Sequence, residues 1–139
     1  MAAPTYNLTG GAAKAAFTGV NLSVIEAVLD LAKRPVGNGE SAAIIAIPAQ
    51  SCVLEVSHQV LTVEGAVLTA GIGDSASPTA FGTAVDLNAL AHAGAALANP
   101  KYYAAADDIR LNMNQAGANA AKVLVKAVIV GMATQGKYT

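Results

Sequence analysis

The alternation in CVLEVSHQVLTV, Cys52 to Val63, constrains this chain more than any other feature. Cys52, Leu54, Val56, His58 and Val60 take one set of alternate positions; Val53, Glu55, Ser57, Gln59 and Leu61 take the other. Strand side chains point by turns to the two faces of a sheet, so the segment predicts a strand with one apolar and one mostly polar face. DIRLNMN, Asp108 to Asn114, repeats the pattern, with Ile109, Leu111 and Met113 opposite Arg110, Asn112 and Asn114. AKVLVKAVIVGM differs, because Val123, Val125, Ala127 and Ile129 on one face meet Leu124, Lys126, Val128 and Val130 on the other. Apolar residues on both faces predict a central strand or one covered by a partner chain.

The remaining segments fit the same class. SAAIIAI is a short apolar run closed by Pro48, and AVLTAGIG follows the turn at Glu64-Gly65 as a strand expected to pair with its predecessor in a hairpin. TAVDLNAL reads as a short strand. In VNLSVIEAVLDLA, Val20 to Ala32, the residues Val24, Val28 and Leu31 also fit a helical stripe. Its β-branched content, with Gly19 and Pro35 at the ends, favours a strand pair or one bulged strand. AHAGAALANPKYYAAA reads as an Ala-rich connection that Gly94 and Pro100 limit to a turn or two of helix. Short strands with turn signals about every ten residues point to a single antiparallel β-sandwich or barrel. Long helices for a βαβ fold are missing, and neither a repeat nor a linker divides the chain. The expected organisation is an extended N-terminal arm, residues 1–19, and an all-β sandwich domain, residues 20–139.

Composition limits the function classes. Of 139 residues, 54% are hydrophobic but only 4% aromatic, so the core must come from Ala, Val, Leu and Ile. Charged residues are 12%, about half the usual quarter, with eight basic side chains against nine acidic. So little charge points to a surface covered by neighbours in an assembly or to membership of a particle, with a merely Ala-rich soluble domain as the alternative. Lys33-Arg34 is the only basic pair and no aromatic residues interleave with it, which argues against nucleic acid. A lone Cys52 excludes an internal disulfide and any multi-cysteine metal site. MAAPTYNLTGG has no basic head or apolar run, so no secretory signal is expected there, and Val123 to Met132, interrupted by Lys126, is too short to span a membrane as a helix.

One stretch invites a chemical reading. GIGDSASPTAFG holds Gly73-Asp74-Ser75, the run that opens the active-site segment of one esterase and lipase family. A serine nucleophile needs a histidine base oriented by a carboxylate, and His58 and His92 are off that family's pattern. Phosphate binding needs a helix N-terminus and usually a lysine, whereas Pro78 follows here and Asp74 would repel an anion. Asp107-Asp108 with Asp74 or Asp86 offers carboxylates for Ca²⁺, but no Asp-rich twelve-residue loop holds them. The expectation is therefore no catalytic residue, no cofactor and no metal. Gly, Asp, Ser and Pro instead mark a loop where one strand ends and the chain crosses over, with Phe81 pinning the loop to the sandwich. Tyr102-Tyr103 reads as a partner anchor, with a core role equally open to one of the two.

The string IPAQSCVLEVSHQVLTVEGAVLTAGIGDSASPTAFGTAVDL, followed by YYAAADDIRLNMNQAGANAAKVLVKAVIVGM, resembles the small proteins that decorate or cement the capsids of tailed bacteriophages. An Ile-Pro-Ala strand entry, an alternating strand, a Gly-Asp-x-x-x-Pro-x-x-Phe loop and an Ala-Asp-x-Ile strand leading through Ala-Gly to the last strand carry the likeness, over residues 44 to 132. It implies a jelly-roll-like β-sandwich made in the host cytoplasm. Such a protein would sit as a homo-oligomer, dimer or trimer, at symmetry axes outside the head and bridge major capsid proteins, with no membrane or nucleic-acid partner. The arm, Lys33, Arg34, Tyr102 and Tyr103 are the expected contact residues. A tail or fibre-tip component, or a glycan-binding adhesin, is the alternative.

Overall fold

A computed structural model describes residues 21–131, with the backbone alone at 21 and 95–99. Its strands are β1 (Asn21–Asp30), β2 (Ser41–Ile47), β3 (Ser51–Thr62), β4 (Thr69–Gly73), β5 (Gly82–Asp86), β6 (His92–Tyr103), β7 (Asp107–Asn112) and β8 (Lys122–Gly131). They form two four-stranded sheets, β1-β8-β3-β6 and β2-β7-β4-β5, in which all neighbours are antiparallel. Each connection passes to the opposite sheet except β4 to β5, a winding that makes a jelly roll from two Greek keys. The expected all-β sandwich is what forms. The arm assigned to residues 1–19 lies outside the described residues.

The core fills the space between the sheets. Val123, Val125, Ala127 and Ile129 of β8 point inward and are buried, as are Ile109 and Leu111 of β7 and Met113 just beyond it. From the other strands come Leu29, Ile45, Ile47, Val56, Val60 and Ile72, so the layer is almost wholly aliphatic. Removing each such side chain from water contributes about 1.5–3 kcal/mol. β8 lies between β1 and β3 in the middle of its sheet, as its two apolar faces predict.

Four expectations are corrected. β3 and β4 are not a hairpin: β3 pairs with β6 and β8, whereas β4 joins β5 and β7 in the other sheet. The apolar face of β3 is not continuous either. A bulge between Val53 and Glu55 inserts one residue, Leu54, so the inward set is Ser51 and Val53 before it and Val56, His58 and Val60 after it. Cys52 and Leu54 consequently leave the core face. The segment from His92 to Tyr103 is a strand of twelve residues rather than a connection with helix. It pairs with β3 through His92–Ala96 and again through Lys101–Tyr103, and Pro100 falls in the skipped stretch of this edge strand, where its missing N–H costs no ladder bond. Finally, β1 is one strand without a bulge, in unbroken register with β8 from Asn21↔Gly131 to Asp30↔Lys122.

Candidate functional site

The loop from Asp74 to Phe81 joins β4 and β5 within one sheet, so it is a hairpin connection and not the crossover the sequence suggested. Asp74 turns inward and is 2% exposed. Its Oδ1 accepts from the backbone N–H groups of Ala76 (3.0 Å) and Ser77 (2.8 Å). Its Oδ2 accepts from Lys101 Nζ and the Tyr103 hydroxyl, each at 2.5 Å. Burial alone would raise the pKa of Asp74, but these four donors outweigh it and hold the carboxyl at about 2. Burial raises the pKa of the Tyr103 phenol, and its hydrogen bond to the Asp74 carboxylate raises it further. The carboxylate thus staples the β4–β5 loop to the end of β6. Phe81 closes the loop, its N–H donating to Ile72 O at 2.9 Å and its ring packing on the core.

This arrangement lacks the parts of a hydrolase. Ser75 Oγ donates to Asp107 Oδ2 at 2.7 Å, with a carboxylate where an acceptor imidazole would have to be. His58 and His92 stand on β3 and β6 of the other sheet, and Ser75 Oγ bonds to Asp107 rather than to either. The candidate Ca²⁺ carboxylates are committed elsewhere: Asp74 to Lys101, Asp108 to Arg110 at 2.5 Å, and Asp86 to the N–H of Asn88 at 2.8 Å. Among the described residues, no group of three His, Cys, Asp or Glu side chains gathers to hold a metal ion.

The expected contact residues do not form one patch. Lys33 and Arg34 are exposed on the turn after β1, where their N–H groups donate to Asp30 O at 3.1 and 2.9 Å. Tyr102 is 53% exposed on the outer face of the first sheet, on the rung of Cys52, Val130 and Leu22. Since Asp30 and Leu22 are at opposite ends of β1, the basic pair and Tyr102 occupy opposite ends of the sheet. Tyr103, one position on, points inward, is 7% exposed and is bound to Asp74. It takes the core role.

Sequence reasoning missed a larger surface. The outward residues of β1 include Leu22, Val24 and Val28, which are 58%, 63% and 52% exposed. Across the ladder they meet Val130, Val128 and Leu124 of β8. One ion pair interrupts this apolar ribbon, Lys126 Nζ to Glu26 Oε1 at 3.0 Å, and a second closes its end, Lys122 Nζ to Asp30 Oδ2 at 3.8 Å. The signal was legible in VNLSVIEAVLDLA, where apolar residues occupy both alternate sets as they do in β8.

No protein-family model and no curated protein matches the sequence. The fold, however, is similar to chains in two solved phage structures. With a chain of the cyanophage Pam1 capsid asymmetric unit the TM-score is 0.63 at 17% identity, covering 94% of this chain and 92% of that one. With a chain of the acidic stable capsid structure of Helicobacter pylori bacteriophage KHP30 the TM-score is 0.56 at 15% identity, covering 78% and 86%. The architecture built here from alternating strands is therefore one that phage capsid structures contain.

Proposed function

We propose that this chain is a non-enzymatic structural protein of a phage virion, placed outside the head, where it cements the major capsid protein lattice. The observation that carries this reading is the jelly-roll likeness to chains of two phage capsid structures, one of them over nearly the full length of both chains. The sparse charge of the sequence and the non-catalytic use of every carboxylate around Asp74 agree with it. Cement needs no single dominant residue. Interfaces of ordinary size bury about 1,600 Å², and repetition over a symmetric shell turns modest contacts into resistance to internal pressure.

The contacts we assign to the shell are residues 1–19 as an arm, the exposed Lys33-Arg34 turn and Tyr102, at the two ends of the first sheet. Tyr103 supports Tyr102 from beneath through its bond to Asp74. Particles assembled with and without the protein are heated or osmotically shocked, and retained DNA is measured. The reading expects greater retention with the protein. Equal retention would sink it, and imaging that finds the chain at a tail or fibre tip would transfer it to the adhesin class.

A further inference from the structure

We infer that the outer face of the β1–β8 ribbon binds the same face of a second copy of this chain, around a two-fold axis parallel to the strands and between them. The inference deepens the oligomeric part of the reading above and rests on it only for its biological setting. Five successive rungs of the ladder point outward: Leu22/Val130, Val24/Val128, Glu26/Lys126, Val28/Leu124 and Asp30/Lys122. Three are apolar on both strands. In the other two, both acids belong to β1 and both bases to β8.

That segregation selects the occupant. A two-fold axis between the strands lays β1 over the partner's β8, so Leu22 meets the partner's Val130 and Val24 meets the partner's Val128. Glu26 meets the partner's Lys126, and Asp30 meets the partner's Lys122. All five rungs are then matched, apolar on apolar and acid on base, and each desolvated charge gains a second counter-charge. A partner surface of uniform charge would leave one strand's charges opposed. The strands of the two sheets run nearly aligned in this arrangement, which suits face-to-face packing of twisted sheets.

Strand spacing and rise give a ribbon of about 330 Å² per copy. That is below the roughly 800 Å² per partner of stable complexes, so the contact is weak in dilute solution and gains from repetition on a lattice.

The test uses the purified full chain in sedimentation equilibrium up to about 1 mM, where a contact of about 4 kcal/mol is half-formed. The wild type should form dimers, and Val24→Glu should remain monomeric with unchanged circular dichroism. Glu26→Lys alone and Lys126→Glu alone place like charges across the axis and should each weaken self-association at least tenfold, on the order of 1.4 kcal/mol. Mixed in equal amounts, these two should recover a heterodimer, because every cross-copy pair is again opposite in sign. A wild type that stays monomeric at about 1 mM overturns the inference, whether the ribbon is covered by the chain's own terminal residues or by a shell protein. So does a mixture that associates no better than its components, since non-specific apolar contact would ignore the signs. Because the readout is in solution, these outcomes leave the DNA-retention test untouched, and failure of that test would leave the dimer standing.

Discussion

Replacing Asp74 by Asn keeps the shape of the side chain and removes its charge. Oδ1 of the amide can still accept from the N–H groups of Ala76 and Ser77, but Nδ2 then faces the Lys101 ammonium, donor against donor. The Tyr103 hydroxyl can rotate and accept; Lys101, whose side chain is 39% exposed, must turn to water. The size of the loss follows from proton linkage. A carboxyl whose pKa is 3.8 unfolded and about 2 folded contributes about 2.5 kcal/mol of stability at neutral pH. Because the folded value is the lower one, this contribution is complete well above pH 3.8 and drains away as the pH falls toward 2, with about half left at pH 3. Urea unfolding of the wild type and Asp74→Asn should therefore differ by about 2.5 kcal/mol at pH 7 and by about half of that at pH 3. A difference under about 0.5 kcal/mol at pH 7, or one that does not shrink with acid, would refute the claim that this carboxylate holds the loop as an anion.

Two further substitutions test other parts of the fold. A Cβ on Gly73 would lie 2.0 Å from Ser77 O and 2.5 Å from Pro78 C, both backbone atoms, so Gly73→Ala should cost more than about 3 kcal/mol. Gly65→Ala, at φ +94° in open space, should cost only about 1 kcal/mol in the same thermal or urea unfolding assay. His58 faces inward at the open end of the sandwich, beside a cleft of about 360 Å³ that Phe81 and Val85 also line. Burial and then the nearby His92 lower its pKa from 6.5. The folded state thus favours the neutral ring, and stability is complete above pH 6.5 and declines as the pH falls through that value toward the lower folded one. His58→Gln should flatten the urea midpoint against pH just below pH 6.5, above the window in which Asp74 acts. An unchanged slope would remove His58 from the acid response.

Legibility in the sequence followed the regularity of each strand. β7 and β8 carry unbroken alternation, which separates their two faces residue by residue; on β8, apolar on both, only the structure shows that Val123, Val125, Ala127 and Ile129 face the core. β3 was half legible, because the bulge at Leu54 leaves no mark in the hydrophobic pattern while reversing every side chain before it. β6 was missed for a different reason: alanine, glycine and proline give a strand no local preference, and it is held extended by its pairing with β3. The supposed hairpin from β3 to β4 failed because a turn at Glu64-Gly65 looks the same whether the next strand returns beside the last or crosses to another sheet. Glu64 shows what that turn does instead, since its carboxylate accepts from the N–H groups of Asn119, Ala120 and Ala121 at 2.7–3.0 Å and ties down the entry to β8. At the Asp74 loop, composition identified a turn and excluded a nucleophile. The partners that define it, Lys101 and Tyr103, stand 27 and 29 positions away, beyond the reach of any local pattern.

The pairing of β1 with β8 also sets a clock. The residues from Leu31 to Ala121 must be made before Asp30 can meet Lys122, which at translation rates of 5–20 residues per second takes roughly 5 to 20 seconds. Through that interval NLSVIEAVLD is an apolar segment without its one ladder neighbour, β8, open to pairing with other nascent chains. Only a chain that has completed β8 displays the rungs from Leu22/Val130 to Asp30/Lys122, so unfinished copies lack the surface through which we propose this chain pairs with a second copy. By setting β1 beside β8, the jelly-roll winding makes the proposed self-association conditional on translation through β8.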